Sequence, residues 1–350
     1  MTDSLSPAVN ALLFLIAAVA IWLAGTRLER DADVISRRTG LGQAFTGMLL
    51  LAAATSLPEV ATTVTAVVIV GNPTLAVHNL LGGVALQTVV LAIADRFKGR
   101  GGALTYFSPR FVLLIEGVGL VFLLQLTTAG LMARGLPTLA SISAWAVALL
   151  VAYVAVMLLV YRHRGQPRWT PTRADDVPSE TSDAGTEPDS GDDRSAKAAA
   201  SSFAGMSLVV LAGGWLATQT TDALARQTGV GSAFLGATLL AAATSLPELS
   251  TTISAVRGGR YTAAISNVFG SNAFDVTLLV LADALYRQGT VLAHAENTVV
   301  FVAAVGSIMT CIYLWGLLER ENRSTLGMGW DSLAAVVTYV GGMIVLYFIQ

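Results

Sequence analysis

The 350-residue sequence predicts an all-α polytopic membrane protein, with ten transmembrane helices in two inverted five-helix repeats. Three observations lead there. The chain is 54% hydrophobic and 13% charged, with a mean hydropathy of +0.66, a composition suited to lipid rather than water. Its apolar residues gather into stretches long enough to cross a bilayer, about 17–25 residues in a helix. An eight-residue phrase, Ala52-Ala53-Ala54-Thr55-Ser56-Leu57-Pro58-Glu59, returns as Ala241-Ala242-Ala243-Thr244-Ser245-Leu246-Pro247-Glu248.

In order, the stretches fall at 8–26, 41–70, 74–95, 109–129, 138–161, 203–225, 231–256, 261–284, 295–317 and 330–349. No Lys or Arg precedes the first, so it is expected as a span and not a cleaved signal peptide. The second and seventh hold Pro58 and Pro247 and are expected as pairs of half-helices. With the N-terminus outside, all of the 21 Lys and Arg except Arg134, Arg226 and Arg287 lie on the inner side. Ten spans then leave both termini outside. Cys311, the single cysteine, excludes an internal disulfide and a thiolate metal cluster, and reads as a small core residue. Asp95 and Asp283, at matching helix ends, read as solvated.

Residues 165–200 break this pattern. Asp175, Asp176, Glu180, Asp183, Glu187, Asp189, Asp192 and Asp193 stand there among Pro, Ser, Thr and Gly, the composition of a disordered cytoplasmic linker. It separates a first repeat, 1–164, from a second, 201–350. The repeat extends beyond the signature: Leu41-Gly42-Gln43-Ala44-Phe45-Thr46-Gly47 answers Val230-Gly231-Ser232-Ala233-Phe234-Leu235-Gly236, at an offset of 189 that falls to 188 near Gly71-Asn72-Pro73. Five spans per repeat is an odd number, so the second repeat enters from the opposite side.

The signature carries chemistry. Pro58 and Pro247 lack an N–H, so the carbonyls of Ala54 and Ala243 lose their helical partners and must be satisfied by protein, water or an ion. Thr55 and Glu59 are four apart, as are Thr244 and Glu248, which places each pair on one helical face. Hydroxyl, carbonyl and carboxylate oxygens suit hard cations such as Ca²⁺ and Na⁺, and no imidazole–thiolate set accompanies them. A charged carboxylate at the bilayer centre costs about 2.5–3.5 kcal/mol on insertion scales, so two in repeated positions call for a function. The competing reading is a kink whose glutamate is protonated and hydrogen-bonded.

The following span adds Asn267, Gly270, Ser271 and Asp275, with Ser271 and Asp275 on one face and Gly270 permitting close helix approach. The first-half counterpart reads Asn79, Gly82, Gly83 and Gln87, so Asp275 is expected opposite Gln87 and Ser271 opposite Gly83. Glu59, Glu248 and Asp275 together could offset one divalent or several monovalent ions. His78 is a candidate proton carrier, with a hydrogen-bonded packing histidine as the alternative reading. Glu116 reads as a structural acid, and His163 and His294 as loop residues.

The two signatures resemble the alpha repeats of the cation/calcium exchanger superfamily, which includes sodium/calcium exchangers. The resemblance covers both membrane halves. It implies ten helices and a midplane site built from the second, third, seventh and eighth. By motif it makes Glu59 and Glu248 the main calcium ligands, with Thr55, Ser56, Thr244 and Ser245 supplying hydroxyls. The Ala52 and Ala241 carbonyls would bind sodium, and Ser271 and Asp275 would complete the second half. Asn79, Asn267 and Gln87 fall at the remaining polar positions of the site. The chain departs from the family pattern at Gly83, which has no side-chain oxygen, and at Gln87, where Asn is usual.

The function expected is a secondary antiporter exchanging Ca²⁺ for Na⁺ by alternating access, with H⁺ as the alternative driver. It is expected in a bacterial inner membrane, with lipid and the transported cations as its partners and no nucleic acid, cofactor or catalytic residue. A cation channel, an intramembrane hydrolase and a non-transporting scaffold are the rivals. The hydrolase lacks a nucleophile–base pair. A primary pump would need a Gly-rich nucleotide loop with Lys, which is absent from the sequence.

Overall fold

The structure, a computed structural model, describes residues 2–39, 55–99, 102–133, 138–139, 142–163, 194–291 and 297–350. Outside them lie Leu41–Gly47, Ala52–Ala54, most of the acidic linker (164–193), Arg134 and His294. Apart from two short hairpins the described chain is helical. Eight helices are long and apolar enough to cross a membrane: α1 (Pro7–Thr39), α3 (Pro73–Asp95), α4 (Phe111–Met132), α5 (Ala144–His163), α6 (Ala196–Thr228), α9 (Tyr261–Leu285), α10 (Asn297–Glu319) and α11 (Trp330–Ile349). A bent pair, α7 (Ser232–Thr244) and α8 (Leu246–Arg257), passes the same test as one span broken by 53°. The shorter α2 (Leu57–Val70) is the described part of the expected second span. Two antiparallel hairpins precede helices: β1 (Thr138–Leu139) with β2 (Ile142–Ser143) before α5, and β3 (Ser324–Thr325) with β4 (Met328–Gly329) before α11.

Local chemistry sets the ends. Asn72 caps α3 by accepting from Leu75 N–H at 3.0 Å, and Pro73 follows at the position where a missing N–H costs nothing. Ser195 caps α6 in the same way, accepting from Ala198 N–H at 3.2 Å, and Gly229 ends that helix with φ 73°. Both α1 and α6 contain 33 residues, about 50 Å of helix, well over the thickness of the hydrocarbon core. They pack antiparallel, with Asn10 donating to Gln227 (3.0 Å) at one end and Arg194 pairing with Asp31 (2.6 Å) at the other.

At the centre stand α3 and α9. Helix α3 packs against α2, α7, α8, α9, α10 and α11, and 89% of its apolar window is buried. Its contact with α7 is backbone to backbone, because a Cβ at Gly82 would overlap the Ala237 main chain. The sequence pointed instead to Gly270, which meets nothing within 4 Å among the described residues. The repeat counterpart of Ala237 is Met48, outside the described residues.

Two sequence readings are corrected here. Asp95 and Asp283 are buried (0% and 1% exposed). Asp95 accepts from Gly329 N–H (2.6 Å) and Ser332 Oγ (2.9 Å) and pairs with Lys98 (2.8 Å). Asp283 accepts from Ser143 N–H (2.8 Å) and Val291 N–H (2.9 Å). Each acid supplies the acceptor that a hairpin N–H requires, and each ties a central helix of one half to a hairpin of the other. Cys311, expected in the core, is exposed on the outer face of α10.

Gly82→Ala is expected to lower the thermal unfolding midpoint in detergent, by the equivalent of about 1–3 kcal/mol for an overpacked contact. Gly341→Ala, whose new Cβ meets nothing within 4 Å, is expected to leave the midpoint unchanged. Equal midpoints for the two variants would contradict the close α3–α7 approach.

Candidate cation site

Ser56 has φ −92° and ψ 5°, and Ser245 has φ −84° and ψ 1°, the bridge conformation from which α2 and α8 start; at Ser245 it also ends α7. Proline then occupies the first turn of α2 and of α8, with Glu59 and Glu248 one residue later. Ser-Leu-Pro-Glu is by spacing a capping box, serine at the N-cap and glutamate three residues on. The box is not closed in either copy, because neither serine caps with its side chain.

The two glutamates are 2% and 0% exposed, and among the described residues all four of their carboxylate oxygens lack a hydrogen-bond partner. The Thr244 hydroxyl faces Glu59 without completing a bond of normal geometry, and donates to the Ala241 carbonyl at 3.2 Å. The first-turn position on a helix N-terminus favours negative charge. The glutamates feel each other's charge, and each feels that of Asp275. Among the described residues none of the three is ion-paired.

Asp275, 1% exposed, is tethered on one side only. Its Oδ2 accepts from Gln87 Nε2 (2.9 Å), and Gln87 Oε1 accepts from Ser271 Oγ (2.7 Å), while Asp275 Oδ1 has no partner. Asp275 thus meets Gln87 as expected. Ser271 bonds Gln87 rather than facing Gly83, and a Cβ at position 83 would lie 4.0 Å from Asp275 Oδ2.

Of the other expected ligands, Thr55 and Ser56 are buried beside the break, and Ser245 is buried with an unpartnered Oγ. Asn79 donates to Thr62 Oγ1 at 3.0 Å, and Thr62 in turn donates to the Pro58 and Glu59 carbonyls. Asn267 is half-buried and is not drawn into this network. Ala52 lies outside the described residues. The Ala241 carbonyl already accepts from Ser245 N–H (3.0 Å) and Thr244 Oγ1, so both its lone pairs are engaged. Among the described residues no group of three or more His, Cys, Asp or Glu side chains is placed to hold a metal ion. A cation here would draw on hydroxyls as well as acids.

Sequence reasoning passed over Thr63 and Thr252. Each lies four residues after its glutamate, hence on the same face, and each has a buried hydroxyl with no partner. The signal was present in the repeated Thr-Thr pair. His78, by contrast, is fully committed: Nδ1 donates to the Thr74 carbonyl (2.8 Å), which leaves Nε2 to accept from Thr298 Oγ1 (3.0 Å). Glu116 is buried and accepts from Ser266 Oγ at 2.8 Å, as a structural acid would.

A helical membrane bundle that carries buried acids in the proline-started first turns of two helices has the architecture of an ion-exchanger fold. The chain belongs to the sodium/calcium exchanger protein family, whose model matches residues 9–169 and 197–348. The fold is similar to that of YfkE (TM-score 0.66, 15% identity, 97% of this chain and 93% of that one). It is similar also to an H⁺/Ca²⁺ exchanger, CAX (TM-score 0.66, 13% identity, 97% and 85%), and to the sodium-calcium exchanger NCX_Mj (TM-score 0.57, 17% identity, 97% and 99%). Among curated proteins, a stretch of 121 residues is 31% identical to the sodium/calcium exchanger MaX1 of Methanosarcina acetivorans, covering 35% of this chain and 33% of that protein. A stretch of 122 residues is 30% identical to the inner membrane protein YrbG of Escherichia coli, covering 35% and 34%. These alignments span about a third of the curated relatives' length.

Substituting His78 by Gln is expected to lower thermal stability, by about 1–3 kcal/mol for a disrupted buried hydrogen-bond pair, without altering the pH dependence of ion flux. Loss of proton-driven flux at unchanged stability would overturn this structural role.

Proposed function

We propose that the protein is a secondary active antiporter that exchanges Ca²⁺ for Na⁺ by alternating access, its ten spans arranged as two inverted repeats joined by the acidic linker at 165–200. The observation that carries this reading is the pair Glu59 and Glu248, buried at the same point of the first turns of α2 and α8 with all four oxygens unpartnered among the described residues. Uncompensated charge of this kind is expensive in a dehydrated interior, and a hard cation removes the expense. Filled, the site can move between faces; emptied, it resists. That asymmetry supports coupled exchange over a channel. The repeated Thr244, Ser56 and Ser245 hydroxyls and the half-tethered Asp275 supply further oxygens.

H⁺ as the driving ion is the second reading, and one observation favours it. Ser271 and Gln87 are bonded to each other, Gln87 holds one Asp275 oxygen, and Gly83 contributes none, which leaves few oxygens for several sodium ions. The distribution of Lys and Arg supports an inner-membrane orientation with both termini outside and the linker in the cytoplasm.

The test is ⁴⁵Ca²⁺ uptake into proteoliposomes under an imposed Na⁺ gradient, then under an H⁺ gradient. Uptake with one gradient, reduced about tenfold or more in Glu248→Gln as expected for loss of a charged ligand, is the predicted result. Uptake that neither gradient drives would refute antiport.

A further inference from the structure

Helix α1 packs against both α7 and α8. It comes close at Gly25, where a Cβ would lie 2.5 Å from Pro247 Cγ, directly at the break beside Glu248. Glu29 follows four residues later, on the same face of α1 and one turn nearer that helix's C-terminal end. It is 5% exposed, and its Oε1 has no hydrogen-bond partner. Its charge acts on Glu248 along with those of Glu59 and Asp275. The counter-charge it feels is Arg30, its exposed sequence neighbour.

A structural acid on these helices looks different. Asp31, fully buried, is held by Arg194 (2.6 Å) and approached by Arg27 (3.6 Å). Asp222 on α6 is held by Arg226 and by Asn72. The fold does not require an acid at the Glu29 position either. The matching residue of the second half, 189 further on, is Thr218, whose hydroxyl is used up on the Gly214 carbonyl at 2.7 Å. Among the described residues Glu29 is therefore a buried acid with one carboxylate oxygen that nothing pairs, one helical turn along α1 from the contact with Pro247.

We infer that Glu29 is a fourth carboxylate of the cation route, a station that takes the divalent cation between Glu248 and the membrane face at which the C-terminal end of α1 emerges. This rests on the exchanger reading above. It makes the route unequal on its two sides, because the second half carries a neutral threonine where the first carries an acid.

The experiment is ⁴⁵Ca²⁺ flux into proteoliposomes of defined orientation, with half-saturation measured separately from each face for wild type, Glu29→Gln and Glu29→Asp. Glu29→Gln is expected to raise half-saturation by about tenfold at the α1 C-terminal face, the scale of one lost charged contact, and to change the other face less than twofold. Glu29→Asp, which keeps the charge, is expected to restore most of the loss. An unchanged Glu29→Gln, equal shifts at both faces, or no restoration by Asp would overturn the proposal. Absence of flux in the wild type would instead sink the exchanger reading itself.

Discussion

Two buried carboxylates with no partner among the described residues hold the rest of this structure to account. Charges removed from water are tolerated when they are paired or hydrogen-bonded, and several buried acids of this chain are held in that way. Asp31 has arginine partners, while Asp95 and Asp283 take hairpin N–H groups. Among the described residues neither Glu59 nor Glu248 has an arginine partner, and their carboxylate oxygens accept no hydrogen bond of normal geometry. The prolines in the first turns of α2 and α8, the unclosed capping boxes and the close α3–α7 contact all set these two groups in a dehydrated interior. That tension is what a passing cation would relieve.

The scaffold keeps the site in place while leaving part of the bundle long and lightly tied. Helices α3 and α9 form the centre, joined to each other through Gln87, Asp275 and Ser271 and to opposite hairpins through Asp95 and Asp283. Helices α1 and α6, each 33 residues, pair mainly with each other. They meet α8 and α2 through small residues, Gly25 against Pro247 and Gly214 against Ala61, and α1 is also bonded to α8 by Trp22 Nε1 donating to Ser250 Oγ at 2.6 Å. The small-residue contacts themselves rest on packing alone.

Much of this was legible in the sequence because the bilayer restricts what a chain can do. Nearly every apolar stretch became a helix within a few residues of its expected bounds, since backbone groups in lipid must be satisfied within a helix. The break at Pro247 and the Asp275–Gln87 meeting followed from spacing alone. What failed to show was anything decided by a neighbour distant in sequence. Asp95 and Asp283 looked solvated because their hairpin partners lie 234 and 140 residues away. Glu29 was hidden in an arginine-rich segment that resembled a loop, and the structure continues α1 through it to Thr39. Asn267 matched Asn79 by motif, yet only Asn79 reaches the hydroxyls of α2.

The most direct measurement is the position of a bound divalent cation, found by anomalous scattering from crystals grown with Sr²⁺ or Mn²⁺. One peak shared by the Glu59 and Glu248 carboxylates, at about 2.3–2.6 Å for a calcium-like ion, is the predicted result. Separate peaks at each glutamate, or no density between them at saturating cation, would contradict a common site.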